Sequence, residues 1–129
     1  MNLESIELFK NLCQSEYNGR YFDFHNDYLC NKVTFFNNCI ALFLTHVENK
    51  DSVVLRFLNA EIVRMDFSFL TVIKELTIDN LYRGRFELKN ELHEFDSNNR
   101  AYFYLDFYEG QGLEFFSDSL ELIEESSRS

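Results

Sequence analysis

The chain has 129 residues, 46% of them hydrophobic, with 4 Gly and no Pro, which fits one domain over residues 1–129 and excludes long disordered tracts. Its formal net charge of -10 argues against neutralising nucleic-acid phosphates and against binding an anionic membrane surface, and it suits a basic protein partner. The 15 Phe and 7 Tyr point to a sheet-rich core, since aromatic side chains pack well on pleated surfaces.

Leu3, Ile6, Phe9, Leu12 and Cys13 form a narrow helical stripe, predicting an amphipathic helix near residues 2–15 that Asn18-Gly19 ends. The period then changes to two. Leu29, Val33 and Phe35 alternate with Cys30, Lys32 and Thr34, and Asn37-Asn38 signals a turn. Residues 39–47 (CIALFLTHV) read as a nearly continuous apolar strand, and the polar cluster at 48–51 closes a second turn. Residues 52–58 (SVVLRFL) place Val53, Leu55 and Phe57 on one face, and residues 61–67 (EIVRMDF) continue the meander. Phe69, Val72, Ile73 and Leu76 match helical spacing after a capping Ser68, although several neighbours are β-branched, so a short helix followed by a strand is expected. Residues 83–89 (RGRFELK) alternate again, 96–99 form a turn, and 119–124 (SLELIE) supply the last strand. The expected fold is α+β: a mainly antiparallel twisted sheet, as a meander, sandwich or partly open barrel, with one N-terminal helix packed on it.

Residues 101–117 carry the most information. Alternation puts Phe103, Leu105 and Phe107 on a core face, and Tyr102, Tyr104, Asp106 and Tyr108 on the other. For Phe107 and Phe115 to share the core face the loop must be odd. A three-residue loop, Gly110-Gln111-Gly112 with Gly112 left-handed, pairs Phe107 with Phe115. The tyrosine face is large, amphipathic and acidic. From residue 101 onward seven carboxylates stand against Arg128 alone, so this part holds -6 of the total charge. Tyr is enriched at the centres of protein interfaces. Tyr102, Tyr104, Asp106, Tyr108, Glu109 and Glu114 are therefore the candidate contacts for a partner. The competing reading covers this face with another layer, making the tyrosines ordinary core.

Reaction signatures are missing from the sequence. There is no G-x-S-x-G, and Gly110-Gln111-Gly112 is flanked by acids with no Lys to cradle phosphate. Three cysteines (Cys13, Cys30, Cys39) lack metal-ligand spacing; Cys30, Cys39 and His46 would have to converge from neighbouring strands, and buried thiols with a hydrogen-bonded His are the commoner arrangement. No cofactor and no metal are expected, and the domain reads as non-enzymatic. The start of the chain lacks signal-peptide character and the cysteine count is odd, so a reducing cytoplasm is the expected location.

The stretch Phe24-His25-Asn26-Asp27-Tyr28-Leu29, followed by strands and by residues 54–63 (VLRFLNAEIV), resembles small bacterial proteins with a Phe-His-Asp type motif ahead of a β-meander, several of them immunity proteins of toxin systems. The resemblance implies a protein that blocks one toxin domain without chemistry of its own. It also implies a structural role for His25 and Asp27 in pinning the chain's approach to the first strand. The leading expectation is thus an intracellular protein-binding module, an immunity protein that neutralises a basic toxin being its specific form. A small-molecule-binding or catalytic domain with an aromatic-lined pocket, and a structural subunit that forms a homodimer, are the alternatives.

Overall fold

The computed structural model describes residues 6–67 and 75–125. Among them are twelve strands and no helix: β1 (Gln14–Tyr17), β2 (Arg20–Asp23), β3 (Tyr28–Phe36), β4 (Cys39–His46), β5 (Ser52–Leu58), β6 (Glu61–Asp66), β7 (Ile78–Gly84), β8 (Phe86–Leu88), β9 (Glu91–His93), β10 (Ala101–Phe107), β11 (Gly112–Ser117) and β12 (Ser119–Glu125). The domain is therefore all-β, and the α+β expectation is corrected.

Two four-stranded antiparallel sheets hold the core. Sheet I has the order β12-β5-β4-β3 and sheet II the order β6-β11-β10-β7. One two-stranded ribbon runs through both. Leu58 faces Ser119 in sheet I, and Glu61 faces Phe116 in sheet II, so β5–β6 and β11–β12 fold over the same corner in one register, which shifts only beyond it, between Phe115 and Glu114. The corner is pinned where Ser117 Oγ donates to Leu58 O (2.7 Å) and Asn59 Nδ2 donates to Asp118 Oδ2 (3.2 Å). At the opposite side Cys30 and Leu76 exchange both backbone hydrogen bonds (2.7 and 2.8 Å), joining β3 to the approach of β7. The result is a sandwich folded from one ribbon, part way to a closed barrel.

Alternation accounts for the filling. Ile40, Leu42, Leu44, Val53, Leu55 and Phe57 point inward from sheet I, and Phe103, Leu105, Phe107, Leu113 and Phe115 from sheet II; all are buried. Phe57 lies edge-on to Phe103 (5.2 Å) and Phe115 (4.8 Å), so its ring links the two sheets. At one end the β1–β2 hairpin and the residue after it close the core: Phe22 and Phe24 pack on Tyr28, and Tyr17 packs on Phe24.

The predicted N-terminal helix is absent over residues 6–13. This segment lies along the free edge of β7: Phe9 N–H donates to Arg83 O (2.7 Å) and Leu12 N–H to Leu81 O (2.8 Å). An edge strand's unpaired backbone groups offer such a segment more than an isolated turn of helix does. Ile6, Leu12 and Cys13 are buried, as the stripe requires, but Phe9 adopts φ 61° and is 59% exposed. The second predicted helix falls largely on residues 68–74, which lie outside the described ones; Leu76, its last member, is in the bridge to Cys30.

Candidate functional site

The outer face of sheet II brings several of the predicted contacts together. Register sets Tyr82, Tyr104, Glu114 and Arg64 side by side across all four strands. Tyr104 stacks on Tyr82 (5.0 Å between centroids, 14° between planes) and meets the edge of Tyr102 (5.1 Å). Tyr102 donates its hydroxyl to Glu114 Oε1 (3.1 Å), and Arg64 Nε donates to the other oxygen of the same carboxylate. Burial, and then the charge of Glu114, push the Tyr102 and Tyr104 phenols above their ordinary range, so both stay protonated donors.

Gly84 makes this row possible, because the Tyr104 ring lies where any side chain at position 84 would begin. From Gly84 the chain leaves the sheet, and Arg85 O accepts the Tyr104 hydroxyl (2.8 Å). The β8–β9 hairpin then folds back over the face. Its Phe86 packs on Tyr102 (5.6 Å) and edge-on to Phe116 (4.9 Å). The tyrosine face is thus covered at Tyr102, which is 5% exposed, and open beyond it. What stays open is a groove of about 700 Å³, floored by Tyr102, Tyr104 and Phe116 and walled by Phe86, Leu88 and Phe95.

The 101–117 hairpin keeps the predicted parity with a different loop. Phe103, not Phe107, faces Phe115, and Asp106 faces Gly112. Gly110 N–H donates to Phe107 O (3.0 Å) and Phe107 N–H to Gln111 O (2.8 Å), so the three-residue loop is Tyr108-Glu109-Gly110 with Gly110 left-handed at φ 105°. Gly112 is required for another reason: a Cβ there would stand 2.9 Å from Asp106 Oδ1 and 3.3 Å from Leu105 O. The shift of two residues preserves which side chains face the core. It also moves Tyr108 (75% exposed) and Glu109 to the hairpin tip, where Glu109 Oε1 accepts Thr77 N–H (2.8 Å). Neither they nor Asp106 line the groove.

Reading residues 83–89 as one strand hid the hairpin. Two short strands are present instead, joined by Lys89-Asn90 at φ 53° and 65°. The Lys-Asn step between Phe-Glu-Leu and Glu-Leu-His was the available signal.

His25 and Asp27 occupy the turn before β3. His25 Nδ1 donates to Ile78 O (2.7 Å), tying that turn to β7, while Asp27 contributes its backbone, with Asp27 N–H donating to Asp23 O (3.0 Å). The carboxylate that organises the turn is Asp23, which accepts from the backbone N–H groups of His25 and Asn26 and from the side chains of Asn26 and Gln14. Burial would raise the Asp23 carboxyl, but these hydrogen bonds outweigh it and hold the group below its ordinary value. Stability from the turn is therefore full above the unfolded carboxyl pKa of about 3.9 and is lost as pH falls through the lower folded value. Asp23→Ala is expected to cost about 1 kcal/mol near pH 7. Urea midpoints should show that gap closing as the pH is taken to about 3; a gap of constant size would contradict a charge-based role.

Cys30, Cys39 and His46 do not converge. Cys30 pairs opposite Leu44, whereas Cys39 and His46 stand at opposite ends of β4. Among the described residues no group of three or more His, Cys, Asp or Glu is placed to hold a metal ion. Burial pushes the Cys13 and Cys30 thiols up to about 12, which leaves them unreactive. A second depression, of about 490 Å³, opens between β2 and the ends of β4 and β12. Its Arg20 is paired with Glu124, and its His46 Nδ1 accepts turn N–H groups from Glu48 (3.1 Å) and Asn49 (3.3 Å), so both serve the fold.

No family model, curated protein or solved structure matches the chain. No helix among the described residues is long and apolar enough to cross a membrane.

Proposed function

We propose that this protein is a non-enzymatic, intracellular protein-binding module that uses the outer face of sheet II to hold a basic partner. The observation that carries this reading is the open groove, where aromatic rings and the carboxylates of Glu87, Asp96 and Glu114 share one surface on a chain of net charge -10. Aromatic anchors supply contact area at low entropic cost, and the acidic field draws a positively charged partner to them. An immunity protein that neutralises a basic, nucleic-acid-directed toxin domain is the specific form of the proposal. Such a protein needs one tight surface and no reaction chemistry, in keeping with Tyr, Glu and Arg side chains that are engaged in holding the face together.

The test is a complex with a basic partner whose reading frame adjoins this one. Affinity is expected to fall steeply with added salt and by about tenfold or more in Tyr104→Ala and in Glu114→Lys. Co-expression should relieve that partner's toxicity, and the two variants should relieve it less. A complex indifferent to both substitutions would place the interface elsewhere.

A further inference from the structure

We infer that the β8–β9 hairpin is the recognition element of this groove, and that it takes a basic amphipathic segment of a protein partner in which Arg or Lys adjoins an aliphatic or aromatic residue. This rests on the protein-binding reading and adds which element makes the contact and what chemistry it accepts.

The hairpin is a separate two-stranded unit, paired with neither main sheet. Such a unit is marginal in water by itself. Phe86 anchors it to Tyr102 and Phe116, and the ion pair from Arg83 to Glu94 (2.9 Å) ties down its end. Beyond those contacts Leu88 remains 53% exposed and Phe95 41% exposed at the groove, and Leu92, on the hairpin's other face opposite Glu87, is 67% exposed. Apolar side chains on both faces of so small a unit exceed what its own attachment uses.

Charge identifies the occupant. Residues 86–97 carry Glu87, Glu91, Glu94 and Asp96 against Lys89; Glu94 and Asp96 are paired with Arg83 and Arg100, and Glu114 with Arg64, so the hairpin presents the exposed carboxylates of Glu87 and Glu91 on a chain of net charge -10. A partner segment must therefore be basic as well as apolar. The chain already shows how a guanidinium is received here. Arg83 lies over Phe95 (4.7 Å) while reaching Glu94, and Arg100 lies over Phe116 (5.5 Å) while binding Asp96 (2.8 Å). Ring face plus carboxylate is a favourable seat for such a cation. On the open side the half-buried ring of Phe86 and the exposed carboxylate of Glu87, both lining the groove, supply the components of a further such seat.

The test selects a random dodecapeptide display library on the whole protein. Enriched peptides are expected to pair Arg or Lys with an adjacent Leu, Ile or Phe. Their affinity should fall about tenfold or more in the exposed-site double variant Glu87→Lys/Leu88→Ser and stay unchanged in Tyr108→Ala. Amide shifts on titration with such a peptide should centre on residues 86–93. Enriched peptides without a basic residue that still lose affinity in Tyr104→Ala would overturn the inference and leave the sheet II interface standing. Peptides indifferent to both the hairpin variant and Tyr104→Ala would overturn both. Failure to enrich any sequence would overturn the inference alone, provided a natural partner still weakens with Tyr104→Ala.

Discussion

Phe57→Ala is expected to remove about 3–5 kcal/mol of stability, a large part of what a domain of this size has. The ring is fully buried and lies edge-on to Phe103 and Phe115, two rings that themselves stack at 5.6 Å. Truncation removes the apolar transfer term and also leaves a cavity at the junction of the sheets, where neither sheet can move inward alone. The corner at Leu58 and Ser117 fixes the backbone next to it. Phe57→Leu should cost markedly less, about 1–2 kcal/mol, because most of the volume survives. Urea unfolding of the three proteins at one pH measures both values. Equal loss in Leu and Ala would show that ring geometry, not volume, carries the contact.

Gly84→Ala is expected to cost about 1–3 kcal/mol through overpacking rather than through a cavity. An added Cβ would sit 2.5 Å from Tyr104 Cε2, 2.9 Å from its Cδ2 and 3.3 Å from Tyr82 Cε2. The ring has little room to give. It is stacked on Tyr82, and its hydroxyl is held by Arg85 O in the very segment that would be displaced. The substitution should therefore swing the β8–β9 hairpin as well as weaken the fold. A double-mutant cycle separates these effects. In a Tyr104→Ala background the ring is gone, and Gly84→Ala should become nearly neutral. If the two losses simply add, the clash is not the mechanism.

Much of the fold was legible because alternation is a local property. Residues 52–58 are a strand with Val53, Leu55 and Phe57 inward, as their period of two requires, and Asn37-Asn38 turns with both residues left-handed. Parity in the 101–117 hairpin was legible too, since an odd loop is the only way to put Phe103, Phe107 and Phe115 on one side. Its position was not. Both Gly110 and Gly112 satisfy a local rule, and the choice between them came from the approach of Asp106 and Leu105 O to Gly112. The N-terminal segment misled for a related reason. Ile6, Leu12 and Cys13 are buried at helical spacing, but an unpaired edge on β7, far along the chain, captured the backbone.

Of the candidate contacts, Tyr102, Tyr104 and Glu114 meet in the groove, while Tyr108 and Glu109 went to the tip with the displaced loop. Phe86 and Leu88 were not legible as groove residues, because a three-residue strand offers too short a period to be read, and Phe95 lies outside any strand, in an isolated bridge to Ala101.

By itself the sequence determined the antiparallel strands of the meander, the inward phenylalanines, the acidic character and the two chemical faces of residues 101–117. Each depends on neighbours one or two positions away, or on composition. Only the tertiary structure decided that the tyrosine face is half covered and half open. That outcome depends on where a hairpin leaving Gly84 lands, which is set by the fit of Phe86 on Tyr102 and Phe116 and by the missing Cβ beneath Tyr104.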